Sequence, residues 1–289
     1  MKKLIIFYIN IIFFTMTGVV FADVVSKNPN YLKRGKIDKV HIANYLKKEL
    51  RNHNYTIIKD PTGTSPFKLI ENFSPRKGDC GTAGHFWREN KVKVGTGTTD
   101  CNSNRLRLEV SFDKDIRTGK KDKNIWFSYY IYVPDTPDNL VDPLLQPYIT
   151  QFYGSNHKEY GGQNRGGYGP QFSASIYNGK LTMDGVTLVD KENLKGKWHL
   201  IEFNILYSRT NGYVRAYING ELKVNREGFQ TSKHSHTHVK YGTYMHPEYG
   251  GAGYPTSSGY PEGYKFPGHT IYFAEVSFAK ERSLLKTSK

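Results

Sequence analysis

Three short segments bring together side chains able to hold an anion and move a proton. In Arg105-Leu-Arg-Leu-Glu-Val-Ser-Phe112 apolar and polar residues alternate. Along a strand that alternation sends Leu106, Leu108, Val110 and Phe112 to one face and Arg105, Arg107 and Glu109 to the other. Three charges on one face need solvent or an ionic ligand; an ordinary solvated face with an internal ion pair meets the same pattern. In Pro147-Tyr-Ile-Thr-Gln-Phe-Tyr153 the strand period groups Gln151 with Ile149 and Tyr153. The Gln151 amide can donate to a carboxylate or satisfy a loop carbonyl. In Thr237-His-Val-Lys-Tyr-Gly-Thr-Tyr-Met-His246 a cationic and aromatic face carries His238, Lys240, Tyr244 and His246, with Gly242 between them. A glycine inside a strand marks a bulge or the close approach of a ligand or another backbone.

These residues must be held by strands, because almost everything after the first fifty residues reads as short alternating runs. Such runs recur at Tyr55 to Lys59, Phe67 to Asn72, Arg105 to Phe112, Ile125 to Val133, Tyr148 to Tyr153, Pro170 to Tyr177, Trp198 to Tyr207, Tyr213 to Ile218, Thr237 to His246 and His269 to Phe278. Asn219-Gly220 reads as a two-residue hairpin turn, since a type I′ turn needs positive φ at both positions. One stretch reads as a helix, Asp38 to Arg51, with Val40, Ala43, Leu46 and Leu50 on one side. Many strands, turn residues between them and a single short N-terminal helix predict an all-β sandwich or jelly roll of antiparallel sheets. Gly154 to Gly169 and Pro247 to Pro267, rich in Gly and Tyr, read as long loops.

Lys2 and Lys3 precede an apolar run from Leu4 to Phe14 and a small-residue exit at Val20-Phe21-Ala22, the pattern of a signal peptide over residues 1–22. The run is shorter than the roughly 20 apolar residues a spanning helix needs. Export to the periplasm or the outside, with no membrane attachment after cleavage, is therefore expected. Residues 23–289 then form one domain near the upper end of all-β size. The two cysteines, Cys80 and Cys101, would meet an oxidising compartment, and one disulfide closing a loop of about 20 residues would contribute roughly 3 kcal/mol, two free buried thiols being the alternative. With 41 Lys and Arg against 26 Asp and Glu the formal net charge is +15, so the partner expected is an anion. Nucleic acid is disfavoured, because the cations are scattered and no reading element appears.

Taken in order, the three segments resemble the motifs of the jelly-roll polysaccharide lyases of the alginate lyase, glucuronan lyase and heparin lyase I type. Arg107-Leu-Glu-Val110 is similar to a motif reading Arg, Ser or Thr, Glu and an apolar residue, with Leu108 at the hydroxyl position. Gln151-Phe-Tyr153 resembles Gln, apolar, His, with Tyr153 where alginate lyases place histidine, and His238-Val-Lys-Tyr-Gly-Thr-Tyr244 keeps the Lys, Gly and terminal Tyr of a third motif. Trp126-Phe-Ser-Tyr-Tyr-Ile-Tyr-Val-Pro134, Gly196-Lys-Trp-His199, Gly212 to Gly220 and Ile271-Tyr-Phe273 extend the similarity, which spans Phe73 to Phe278.

The resemblance implies a concanavalin-like jelly roll and β-elimination at a uronate. Such a reaction needs the C5 carboxylate neutralised, a base for the C5 proton and an acid for the departing O4. Arg107 and Gln151 would hold the carboxylate and stabilise the enolate-like intermediate. Tyr244 would act as acid, and as base too if its ordinary pKa of about 10 is drawn down by Lys240 and Arg107. His85, in Gly84-His-Phe-Trp87, is the first choice for a separate base, with His157, His238 and His246 as alternatives. Lys240, Arg105, Glu109, Tyr153 and His246 would line the substrate, Glu109 orienting Arg107. No cofactor is required, no metal-ligand cluster appears, and calcium remains possible as an aid to binding. Nothing calls for an oligomer, and a monomer is expected. A non-catalytic glycan-binding module on the same sandwich is the competing class. A glycoside hydrolase is disfavoured, because Glu109-Val-Ser-Phe-Asp113 lacks the tight acidic alternation of retaining enzymes.

Overall fold

The computed structural model describes residues 24–26, 40–42, 55–75, 106–112, 116–117, 122–140, 146–155, 169–232, 236–245 and 267–288. They form two antiparallel sheets packed face to face, as the strand pattern predicts. The back sheet runs in the order β1 (Val24–Ser26), β3 (Tyr55–Ile58), β4 (Ile70–Phe73), β16 (Ile271–Ala279), β7 (Lys123–Tyr132), β12 (Trp198–Tyr207), β13 (Gly212–Ile218) and β14 (Glu221–Phe229). The front sheet runs β11 (Val186–Val189), β10 (Lys180–Met183), β9 (Gly169–Tyr177), β8 (Tyr148–Ser155), β15 (His236–Met245), β5 (Leu106–Phe112) and β2 (Val40–Ile42), with the short β6 (Ile116–Arg117) also on β15. Neighbours in space are mostly distant in sequence, the mark of a jelly roll rather than a meander.

The core lies between the sheets and is built by the period of two. On β13 the burial alternates along its whole length, Val214, Ala216 and Ile218 inward and Tyr213, Arg215 and Tyr217 outward. Phe127, Phe152, Phe203, Phe73, Phe273, Tyr129 and Tyr241 fill the centre, mostly at edge-to-face or tilted angles, the arrangement that ring quadrupoles favour. Tyr129 is fully buried, its hydroxyl bonded to Thr150 Oγ1 at 2.7 Å, and burial holds its phenol far above the ordinary value.

Two expectations are corrected and a third is extended. Val40–Ile42, inside the stretch read as a helix, is strand β2, paired with β5 through Val40–Phe112, His41–Ser111 and Ile42–Val110. Spacing at every third residue fitted a helix, yet β-branched Val40 and Ile42 complete an otherwise open edge of β5; the rest of that stretch lies outside the described residues. The run from Pro170 is followed by two further strands, β10 and β11, joined by turns at Asn178-Gly179 (φ 49° and 76°) and Asp184-Gly185 (φ 47° and 86°). On β8, Ile149 does not share a face with Gln151. A bulge at residues 148–150 turns Ile149 into the core beside Thr150, and Tyr148 comes to the front face instead.

The C-terminal residues close over the back sheet. Arg282 donates from Nε to Glu202 Oε1 (3.0 Å) and from Nη2 to Oε2 (2.6 Å), and its guanidinium lies over Tyr217 (5.3 Å) and Trp126 (5.7 Å). Glu202 is only 2% exposed. Removing the arginine strands a buried carboxylate, so Arg282→Ala is expected to lower unfolding stability by about 2 kcal/mol, read as the urea midpoint. Arg282→Lys should recover part of it. Equal stability of Arg282→Ala and the parent protein would contradict this account.

Candidate active site on the front sheet

Strand β15 is the axis of the site, because both of its neighbours carry residues singled out in the sequence. Val239, Tyr241, Thr243 and Met245 point into the core, so Lys240, Gly242 and Tyr244 lie on the opposite, front face. Register then arranges the front face in rows across the strands. Lys240 stands opposite Gln151 of β8 on one side and Ser111 of β5 on the other. Tyr244 stands opposite Arg107 of β5 and Tyr148 of β8. Between these rows Gly242 faces Glu109. Four residues of strand put the rows roughly 13 Å apart, and Gly242 contributes no side chain to the interval.

Burial separates the roles. Gln151 and Glu109 are each 2% exposed although both sit on the front face, and Tyr244 is 9% exposed, while Lys240 is half-buried. A solvated face was one reading of Glu109 from the sequence; its burial excludes that. The Tyr148 ring lies 6.1 Å from that of Tyr244 at an interplanar angle of 31°, packing against the phenol from the β8 side. Tyr148 was not singled out in the sequence, since strict alternation assigns it to the core.

Behind the front face two buried contacts fix β15. The Tyr241 hydroxyl donates to Glu71 of β4 at 2.8 Å, and Tyr55 of β3 donates to the same carboxylate at 2.6 Å. One residue before Tyr244, Thr243 Oγ1 meets His269 Nε2 at 2.7 Å. His269 N–H donates to the Pro75 carbonyl (3.2 Å), and the next residue, Thr270, exchanges bonds with the Asn139 side chain (2.8 and 3.1 Å). The strand is thus tied to adjacent strands of the back sheet, β3 and β4, and to the segment leading into β16.

Burial pushes the His269 imidazole down to about 4 from 6.5, with a backbone bond opposing the shift. The folded value lies below the unfolded one, so between them the unfolded chain binds the extra proton. This contribution to stability is complete above pH 6.5 and is lost as the pH falls through about 4, a loss of roughly 3 kcal/mol. Urea unfolding across that range is expected to show an acid limb that His269→Asn flattens. An acid limb unchanged in the variant would remove His269 from the explanation.

Arg107 and Tyr153 are placed by strand register, on β5 and β8. Arg105, His85, His157, His246, Cys80 and Cys101 lie outside the described residues, as does the segment read as a signal peptide. One position that sequence reasoning passed over is His41: read as part of a helix, it stands on β2 opposite Ser111, in the same row as Lys240 and Gln151. Among the described residues no group of three or more His, Cys, Asp or Glu side chains is placed to hold a metal ion.

The model of the polysaccharide lyase family matches residues 33–276, and the chain belongs to that family: it is a polysaccharide lyase. No curated relative matches the sequence. Among solved structures the chain is similar to the alginate lyase AlyC3 in complex with dimannuronate (11% identity, 87% of this chain and 86% of that one, TM-score 0.49). It is also similar to a family 7 alginate lyase in complex with a product (15%, 83% and 85%, TM-score 0.42). A third is a β-glucanase catalytic domain from Podospora anserina (11%, 79% and 79%, TM-score 0.41).

Proposed function

We propose that this polysaccharide lyase is exported and cleaves a uronate-containing polysaccharide by β-elimination on the front face of the β5–β15–β8 sheet, leaving a 4,5-unsaturated uronate end. The observation that supports this most is the register that sets Tyr244 between Arg107 and Tyr148 while Lys240 faces Gln151. The uronate carboxylate enters the interval left open at Gly242, bracketed by Arg107 from one row and by Gln151 and Lys240 from the other. Fixed donors aimed there stabilise the charge that develops on the carboxylate as the C5 proton leaves. Buried Glu109, opposite Gly242, orients the neighbouring cations rather than exchanging protons.

The Tyr244 phenol delivers the proton to O4 as the C4–O4 bond breaks. The C5 proton passes to a base, either the Tyr244 phenolate or a histidine. His85 and His41 are the two histidines to test, His41 for its place in the Lys240 row. The basic net charge of +15 favours an acidic chain as substrate, and the solved alginate lyases to which the chain is similar act on one.

The test is to mix the purified protein with alginate, glucuronan, heparin, heparan sulfate and hyaluronan and follow the ultraviolet absorbance of the unsaturated uronate. Growth of that absorbance on at least one polymer is the expected result. Chain shortening without it would replace elimination by hydrolysis and overturn the reading.

A further inference from the structure

The ladder around Tyr244 is regular on one side only. From Lys240 to Met245, β15 is paired residue for residue with β5. On the β8 side the register jumps: Tyr241 faces Thr150, and the next pair is Tyr244 with Tyr148, so three steps along β15 are matched by two along β8. A bulge of this kind interrupts the ladder and lets the strand bend. Gly242 lies inside the interrupted stretch, and a glycine resists bending less than any other residue. Pairing to β5 alone leaves the direction in which Tyr244 projects weakly held.

The core side of β15 supplies the missing restraint. Thr243 is fully buried, and its Oγ1 lies 2.7 Å from Nε2 of His269, which is itself buried. His269 stands on a base that owes nothing to β5 or β8. Its N–H donates to the Pro75 carbonyl, just past β4. The next N–H, of Thr270, donates to Asn139 Oδ1 at 2.8 Å, and Asn139 Nδ2 donates to the carbonyls of Thr270 (3.1 Å) and Pro134 (2.9 Å), just past β7. The imidazole is therefore fixed relative to the back sheet.

Thr243 and Tyr244 are consecutive residues whose side chains leave opposite faces of one strand. A twist of the strand that moves the Thr243 hydroxyl in the core swings the phenol across the front face. The Tyr241 bond to Glu71 holds β15 from the far side of Gly242, and so restrains this twist less directly.

We propose that His269 is a positioning residue for Tyr244, acting through Thr243: the buried hydroxyl–imidazole contact sets the direction from which the phenol meets O4. This rests on the reading of Tyr244 as the acid and extends that machinery through the sheet to its core side.

The experiment uses two pairs of variants. Thr243→Val keeps the volume and removes the hydroxyl, while Thr243→Ser keeps the hydroxyl. His269→Ala removes the ring, while the amide of His269→Gln reaches toward the place of Nε2. Each is assayed for kcat and KM of unsaturated-product formation below its unfolding transition, and for the fluorine signal of a fluorotyrosine incorporated at Tyr244. Thr243→Val and His269→Ala are expected to lower kcat at least about tenfold with KM within about threefold. The double variant should lose no more than the worse single one, because both break one contact. Thr243→Ser and His269→Gln should recover most of the rate. The fluorine signal should shift or broaden in the first pair and return toward the parental position in the second. A variant that merely weakened the fold would lower the unfolding midpoint and leave kcat of the folded protein unchanged. Parental kcat in folded Thr243→Val overturns the proposal, as do losses that multiply in the double variant, or a fluorine signal that no substitution moves. If the parent forms no unsaturated product on any polymer, the uronate reading fails, and the fluorine spectra still decide whether His269 positions Tyr244.

Discussion

Tyr244→Phe should abolish most unsaturated-product formation while leaving the protein folded. Removing a positioned proton donor costs about 100-fold to 10,000-fold in rate, and the loss is expected in kcat, with KM within about threefold because the carboxylate contacts are made by other residues. The structure supplies the control. Tyr244 is 9% exposed and its ring packs at 6.1 Å from that of Tyr148, contacts that a phenylalanine retains. The thermal midpoint should therefore stay close to that of the parent. Tyr244→Leu, which loses the ring as well, should lower both stability and rate. Should Tyr244→Phe keep more than about a third of the parent kcat, the phenol is a packing group and the acid must be sought elsewhere. Should it lose rate and stability together, the variant reports on folding and carries no information on chemistry. The pH profile separates these cases further, since loss of a titrating phenol removes the alkaline limb of kcat/KM, whereas a packing defect scales the whole curve.

What the sequence revealed of this site, and what it hid, follows from how local each signal is. Alternation is local, and it correctly divides β15 and β5 into faces: Val239, Tyr241 and Thr243 inward with Leu108 and Val110. Turn chemistry is local too, and Asn219-Gly220 has the positive φ values (51° and 86°) of the hairpin it suggested. The same signal stood at Asn178-Gly179 and Asp184-Gly185, but the strands that follow these turns, β10 and β11, have four residues each and are too short to show a period. The Ile149 bulge leaves no local trace, because one extra residue simply reverses the alternation beyond it. Burial of Glu71 was beyond reach for a different reason. A buried carboxylate is tolerable only with its donors in place, and one of these, Tyr241, is 170 residues away in sequence and on the other sheet. His41 was hidden similarly: whether Val40–Ile42 is helix or strand depends on the open edge of β5, about 70 positions later.

Gly242 is where fold and proposed chemistry meet, and Gly242→Ala is expected to damage both. The residue sits at φ +134°, in the region that residues with a Cβ rarely adopt. A Cβ built there would lie 2.3 Å from the Leu108 carbonyl oxygen, 2.8 Å from the Phe73 ring and 3.0 Å from Glu109 Cα. Two of those atoms are backbone of the paired strand β5, so neither can turn aside as a flexible side chain would. Relief requires β15 and β5 to separate, and the combined strain and crowding should cost roughly 3 kcal/mol of stability. Gly220 provides the comparison. It too has positive φ (+86°), yet a Cβ there meets nothing within 4 Å, so Gly220→Ala should cost about 1 kcal/mol and leave activity unchanged. For Gly242→Ala the separation would shift Tyr244 relative to Arg107, its direct partner across the strands. A displacement near 1 Å in a positioned acid lowers rate about 100-fold, so kcat/KM measured below the variant's unfolding transition should fall by at least that factor. A folded Gly242→Ala protein with parental activity would show that the pairing of β15 with β5 does not set the geometry of the reaction.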